Sequence, residues 1–129
     1  MKKLALGFLL VASLLWSVDA DAAATTDSPK KRVVVLDPGH GGPQRPGATK
    51  GEYKEKTINL EVSLKVKEML ADKAPHITVY MTRNSDVELA SDRTEDNRKR
   101  PKLANTKHAD LFVSIHANDA ASSDASGFE

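Results

Sequence analysis

Two histidines stand at the ends of two apolar runs of this chain. His40 follows the run at 33–37 inside a glycine-rich loop, and His116 ends the run at 111–116. Parallel strands of an open α/β sheet bring their carboxyl ends to one edge, so we expect the two imidazoles to lie close together there. Two imidazoles with a carboxylate nearby are a typical set of zinc ligands. The pattern therefore predicts a zinc centre at that edge of the sheet.

The third ligand is expected to be a carboxylate, because a hydrolytic zinc site uses three protein ligands and leaves the fourth position to water or substrate. Glu52 and Glu55 both follow the glycine-rich loop closely enough. Glu55 is better placed, since it begins a helical run and can point back towards the strand ends. His76 and His108 lack a glycine-rich setting, and we interpret both as structural.

The glycines beside His40 give the loop its expected purpose. Gly39, Gly41 and Gly42 let the backbone turn sharply and leave room for a substrate to approach the imidazole. A glycine-rich turn after a strand can also bind phosphate. This loop lacks the spacing of a P-loop or of a dinucleotide-binding fingerprint, which makes phosphate the weaker interpretation.

Three apolar runs predict the strands of the sheet, at residues 33–37, 77–82 and 111–116. Residues 38–50 hold four glycines and three prolines and predict a loop. Residues 58–70 alternate apolar and polar side chains as a strand would, but they lack glycine and proline and are rich in Leu, Lys and Glu, which favours a helix. Such a helix, buried on two sides, would supply the crossover that parallel strands need.

The segment before the last strand is dominated by charge. Residues 86–99 indicate a solvated loop or a frayed helix, and Pro101 suits the first turn of a short helix at 102–107. Together the elements predict an α/β fold, with an open, mostly parallel, twisted sheet and flanking helices.

The amino-terminal segment has the features of a secretory signal peptide. A positively charged start precedes an almost wholly apolar stretch at 4–18, and small residues in the small-x-small pattern follow it. The apolar stretch is shorter than the roughly 20 residues that span a bilayer, so we expect no stable membrane anchor. We therefore expect a signal peptide at 1–20, a linker at 21–32 and export to the periplasm or the cell wall.

Composition limits the remaining possibilities. The chain has 129 residues, enough for one domain, and is 40% hydrophobic, as an ordinary soluble domain is. Removing residues 1–20 takes away two lysines and one aspartate and leaves 17 basic and 17 acidic residues, a balance that argues against nucleic acid as a partner. The absence of cysteine means that any metal must be held by nitrogen and oxygen ligands.

Several short runs occur in an order that is shared with one enzyme family. The runs are VVLDPGHGG at 34–42, PGA at 46–48, EKTINL at 55–60, TRNSD at 82–86, Arg100 with Ala104 and Asn105, and ADLFVSIHAN at 109–118. Through them the chain resembles the zinc-dependent N-acetylmuramoyl-L-alanine amidases of the type 3 family. The resemblance extends over nearly all of residues 33–129.

The resemblance implies a reaction and a set of site residues. Enzymes of this family hydrolyse the amide between N-acetylmuramic acid and the first L-alanine of the peptidoglycan stem peptide. The zinc ligands implied for this chain are His40, Glu55 and His116. Asp37, Asn59 and Asn118 match positions close to the family's site and are expected to orient the ligands. For Asn59, packing or helix capping is an equal alternative. The implied partner is peptidoglycan, and we expect a monomer.

The chain departs from the family pattern at its carboxyl end. The family's general-base glutamate normally lies well beyond the SIHAN run, and we do not assign that role to Glu129. We therefore expect residues 33–129 to form the N-terminal part of the zinc amidase catalytic domain, with a sheet that is incomplete at the C-terminus. The alternative function for such a truncated chain is a non-catalytic remnant that binds zinc or peptidoglycan without turnover.

Overall fold

A parallel sheet carries the two histidines that the sequence singled out. The computed structural model describes residues 28–119, and within them the sheet has the strand order β4-β1-β5. Both pairings of the central strand are parallel. In chain order the elements are β1 (Arg32–Pro38), β2 (Thr49–Lys50), β3 (Tyr53–Lys54), α1 (Glu55–Lys73), β4 (Ile77–Met81), α2 (Arg93–Thr106) and β5 (Leu111–Ile115).

The central strand β1 forms most of the core. Its last five residues are all buried, so that both of its faces are covered. Val35 and Leu36 are at most 2% exposed, and Val34 pairs with Val79 on one side and with Leu111 on the other. Continuous β-branched sequence is typical of a strand buried in this way. The predicted α/β fold with a mostly parallel open sheet is confirmed.

Helix α1 is confirmed as a helix, but the expectation that its apolar residues are buried on two sides is wrong. Its buried residues include Lys56, Asn59 and Ser63, which are polar. Ile58 and Met69 are 37% and 54% exposed. Lys56 and Asn59 donate to carbonyl oxygens of the loop after β1, and Ser63 donates to the Asn59 carbonyl, so these donors are paired inside the protein, whereas Asn59 Oδ1 has no hydrogen-bond partner among the described residues.

Helix α2 corrects the interpretation of the charged segment. The helix begins at Arg93, where Asp92 caps it by accepting a hydrogen bond from the Glu95 N–H. Pro101 therefore lies inside the helix and not in its first turn. The segment is also not a solvated loop, since Asp96 is completely buried.

The loop after β1 ends in a short hairpin. Residues 49–54 form the antiparallel β2–β3 hairpin, whereas the sequence predicted loop up to residue 50.

The predicted signal peptide and most of the linker lie outside the described residues. No helix within residues 28–119 has the length and apolar character needed to cross a membrane.

Candidate metal centre

Three side chains from three elements converge at the carboxyl edge of the sheet. His40 follows β1, His116 follows β5, and Glu55 is the first residue of α1. Glu55 Oε2 lies 3.1 Å from His40 Nε2, and Glu55 Oε1 lies 2.9 Å from His116 Nδ1. The imidazole rings meet edge to face with their centroids 4.9 Å apart. Glu52, the other candidate carboxylate, is exposed in the hairpin turn and does not belong to this cluster.

The cluster fits a zinc ion by its chemistry and its spacing. One donor atom from each of the three residues lies within 4.8 Å of the others. Donor atoms bound about 2 Å from a tetrahedral ion lie roughly 3.3 Å apart, a distance that falls within this limit. Two imidazole nitrogens and one carboxylate oxygen are a donor set known from catalytic zinc sites.

The surroundings favour the protonation states that bind metal. Burial lowers the pKa of His40, and the neighbouring His116 lowers it further, against the opposing effect of Glu55. Burial raises the pKa of Glu55, but hydrogen bonds from the Ala48 N–H and from His116 outweigh it, so the net pKa is lowered. A neutral imidazole and an ionised carboxylate are the forms that coordinate a cation.

Two buried arginines hold the backbone that carries His40. Arg83 donates to the carbonyl oxygens of Pro38 and Gly39, both at 2.9 Å. Arg100 donates to the carbonyls of Pro38 at 3.1 Å and of His40 at 2.9 Å. His40 has a φ of 63°, a left-handed conformation that is unfavourable for a residue with a side chain. The arginines therefore fix three consecutive carbonyls in a turn that would otherwise be costly.

A buried aspartate completes the support for this turn. Asp96 lies one helical turn before Arg100 and accepts a hydrogen bond from its Nε at 3.0 Å. Asp96 also accepts from Arg45 and from the Leu89 N–H. Burial alone would raise the pKa of Asp96, but the Leu89 N–H and Arg100 lower it overall, so the carboxylate stays charged.

Sequence reasoning assigned no role to these arginines. Arg83 and Arg100 both lie in runs that carry the family resemblance, and that was the only signal for them in the sequence. Their importance depends on partners 44 and 60 residues away along the chain, at Gly39 and His40. No local pattern reports such contacts.

The three residues expected to orient the ligands occupy different positions. Asn59 is completely buried; its Nδ2 donates to the Gly39 carbonyl at 3.2 Å and lies 3.5 Å from Glu55 Oε1. Asp37 accepts hydrogen bonds from Ser114 and Arg100, so it reaches the site through the arginine. Asn118 lines a small cavity beside Glu55.

Two cavities open beside the cluster. The larger, about 780 Å³, is lined by both histidines and extends to the first half of α2. The smaller, about 240 Å³, lies against Glu55 and includes Tyr53 of the hairpin. An extended substrate could therefore lie across the cluster with one part in each cavity.

Gly39 must lack a side chain because the ring of His116 packs directly against it. A Cβ at this position would lie 2.2 Å from His116 Cε1. We predict that Gly39→Ala displaces the imidazole, lowers the free energy of unfolding by about 1–3 kcal/mol and weakens zinc binding. Competition with a chromophoric zinc chelator measures the affinity.

The matched control is Gly51→Ala. Gly51 has a φ of 60°, and a Cβ added there would meet no atom within 4 Å, so this change carries only backbone strain. We expect it to destabilise by about 1–2 kcal/mol and to leave zinc affinity unchanged. Equal zinc affinity in the two variants would contradict the role given to Gly39.

The chain is an α/β protein with an open parallel sheet and a candidate His–Glu–His metal site at the carboxyl edge of that sheet. Residues 34–129 match the family described as N-acetylmuramoyl-L-alanine amidase. The chain belongs to this family.

Individual relatives agree with the family assignment. The germination-specific N-acetylmuramoyl-L-alanine amidase of Bacillus subtilis (strain 168) is 41% identical over an alignment of 104 positions, which covers 74% of this chain and 43% of the relative. The catalytic domain of CwlV from Bacillus (Paenibacillus) polymyxa is 38% identical with a TM-score of 0.63, and the match covers 73% of this chain and 49% of that one.

A further solved structure, the CwlD amidase from Clostridioides difficile in complex with the GerS lipoprotein, is 30% identical with a TM-score of 0.66. The match covers 73% of this chain and 52% of that one. The chain thus spans about half the length of the relatives that it matches, or less.

Proposed function

We propose that this protein is a zinc-dependent peptidoglycan hydrolase that cleaves the amide between N-acetylmuramic acid and the L-alanine of the stem peptide. The observation that carries the proposal is the convergence of His40, Glu55 and His116 at one sheet edge, in a chain that belongs to the amidase family. The donor types and their spacing support zinc as the ion.

The proposed ligands have separate structural supports. His40 would be held by its backbone, through Arg100, while Glu55 would be held by the Ala48 N–H, which donates to Oε2 at 2.8 Å. Asn59 would keep the Glu55 carboxylate beside the Gly39 carbonyl. A bound zinc ion polarises a carbonyl and lowers the pKa of a bound water, which supplies the chemistry for amide hydrolysis.

The proposed roles of the neighbouring residues follow from their contacts. Asp37 would position His40 through Arg100, and Asn118 would contact substrate or a ligand from the cavity beside Glu55. The Ala48 N–H donates to Glu55 Oε2, and Glu55 Oε1 lies 2.9 Å from His116 Nδ1, so Glu55 lies within the ligand cluster and is assigned as a ligand and not as the base that transfers protons. The base is not assigned to a residue of 28–119.

The proposed place of action is outside the cytoplasm. A signal peptide at 1–20 would direct export, and peptidoglycan lies in the periplasm or the cell wall. The substrate is then available where the mature protein is released, and we propose that it acts there as a monomer.

Identification of the bond that is cleaved tests the proposed reaction. We expect the zinc-loaded full chain to release peptides with a new amino-terminal L-alanine from purified peptidoglycan, while the glycan strands stay intact. Mass spectrometry of the soluble products identifies both features. Activity should disappear with a chelator and return with zinc.

Two results would contradict the proposal. Cleavage within the glycan or within the stem peptide would mean that the reaction is a different one. Failure of a protein with one bound zinc to release any peptide would mean that the site binds metal without catalysing the reaction.

A further inference from the structure

The larger cavity joins the metal cluster to the first half of α2. Its lining includes His40 and His116 on one side and Arg93 and Asn97 on the other. Arg93 is the first residue of α2, and Asn97 follows one turn later, so the two side chains share one face of the helix.

The cavity wall carries an excess of positive charge. Arg45 is paired with Asp96, and Arg100 is paired with Asp37 and Asp96. Arg93 is exposed and forms no ion pair with any residue in the described part of the chain. The acidic residues in the first turn of α2 offset the positive end of the helix dipole, so the unpaired charge at this wall is that of the Arg93 side chain. The side of the cluster towards α2 therefore favours an anionic group.

The smaller cavity has a different character. Ala48, Ile58 and Ala117 give it apolar surface, and Tyr53 adds an aromatic ring that is 73% exposed. The charges of Lys50 and Asp119 at its rim are opposite in sign. Apart from the charge of Glu55, the smaller cavity has no net charge, and it offers apolar surface for packing.

The two sides of the scissile amide also differ in charge. The carboxyl group of muramic acid is consumed in the amide, so the sugar side carries no free acid. The peptide side ends in at least one free carboxylate. Charge complementarity thus distinguishes the two possible orientations of the substrate across the cluster.

We propose that the peptide part of the substrate lies in the larger cavity, where Arg93 binds one of its carboxylates, and that the sugar part lies against Tyr53. This assignment rests on the proposed function and adds an orientation and a specificity-determining residue to it. A guanidinium suits this role because it binds a carboxylate with two parallel hydrogen bonds.

The test compares two synthetic peptides that begin with L-alanine, one with free carboxylates and one with every carboxyl group amidated. Both correspond to the reaction product, so turnover does not disturb a binding measurement by calorimetry on the zinc-loaded protein. We expect the wild type to bind the acidic peptide about tenfold more tightly than the amidated one. The preference should weaken as salt is added.

Substitutions at Arg93 test its contribution to the preference for the acidic peptide. Arg93→Gln should remove the preference, and Arg93→Lys should restore part of it, because lysine keeps the charge but not the paired hydrogen bonds. Arg98→Gln is the matched control, since Arg98 is exposed on the same helix but does not line the cavity. The control should keep the full preference, and all variants should keep their zinc.

The outcomes separate the inference from the function on which it rests. If the wild type binds both peptides equally, or if Arg93→Gln keeps the preference, the proposed orientation is wrong even though peptidoglycan is still cleaved at the muramoyl amide. If the zinc-loaded protein neither cleaves that amide nor binds either peptide, the proposed function fails and the inference fails with it.

Discussion

Replacing His116 by alanine is expected to lower the zinc content of the purified protein from about one ion per chain to near zero. His116 supplies one of three donor groups, and its nitrogen lies 2.9 Å from the Glu55 carboxylate. Loss of a residue that only orients a ligand weakens metal binding by about 10–100-fold. Loss of a ligand itself should exceed the upper value. His40→Ala is expected to have the same effect.

Metal analysis after dialysis against buffered zinc measures the content, and circular dichroism checks the fold. His76→Ala is the matched control, because His76 precedes β4 and lies outside the cluster. The control should retain its zinc. Retention of a full complement of zinc by both His40→Ala and His116→Ala would show that the ion is bound elsewhere, and the proposed function would lose its central observation.

Much of the site's position was predictable from local sequence. The β-branched run before His40 and the apolar run before His116 identify buried parallel strands, and parallel strands place both histidines at one edge. Glu55 was preferred to Glu52 because it begins a helix, and the structure has α1 beginning at that residue. These inferences succeed because strand burial and helix starts are properties of a few consecutive residues.

The support of the site was not predictable in this way. Residues 86–99 look like a solvated segment because their charge gives no apolar period. Asp96 of this segment is nevertheless buried, since it pairs with the buried Arg100 just after the segment, and Arg100 also pairs with Asp37, 63 residues away. The polar face of α1 is buried for the same reason, because Asn59 donates a hydrogen bond to the Gly39 carbonyl. Periodicity detects apolar faces only, and a core built from paired polar groups escapes it.

Arg100→Ala is expected to lower the free energy of unfolding by about 3–5 kcal/mol. The side chains of Arg100, Asp37 and Asp96 are 8%, 5% and 0% exposed, so removal of the guanidinium leaves the buried Asp37 without a cation and leaves Asp96 with Arg45 alone. Such charges cannot recover full hydration inside the fold. Urea unfolding measures the loss, and Arg98→Ala, at an exposed position of the same helix, should stay within about 0.5 kcal/mol of the wild type.

Arg100→Lys separates stability from the positioning of His40. A lysine retains the charge for Asp37 and Asp96, but its single ammonium group cannot also reach the carbonyls of Pro38 and His40 in the arrangement that the planar guanidinium provides. We expect a smaller destabilisation, about 1–3 kcal/mol, together with weaker zinc binding under conditions where the variant is fully folded. A folded Arg100→Lys protein with wild-type zinc affinity would mean that Arg100 stabilises the fold without setting the geometry of His40.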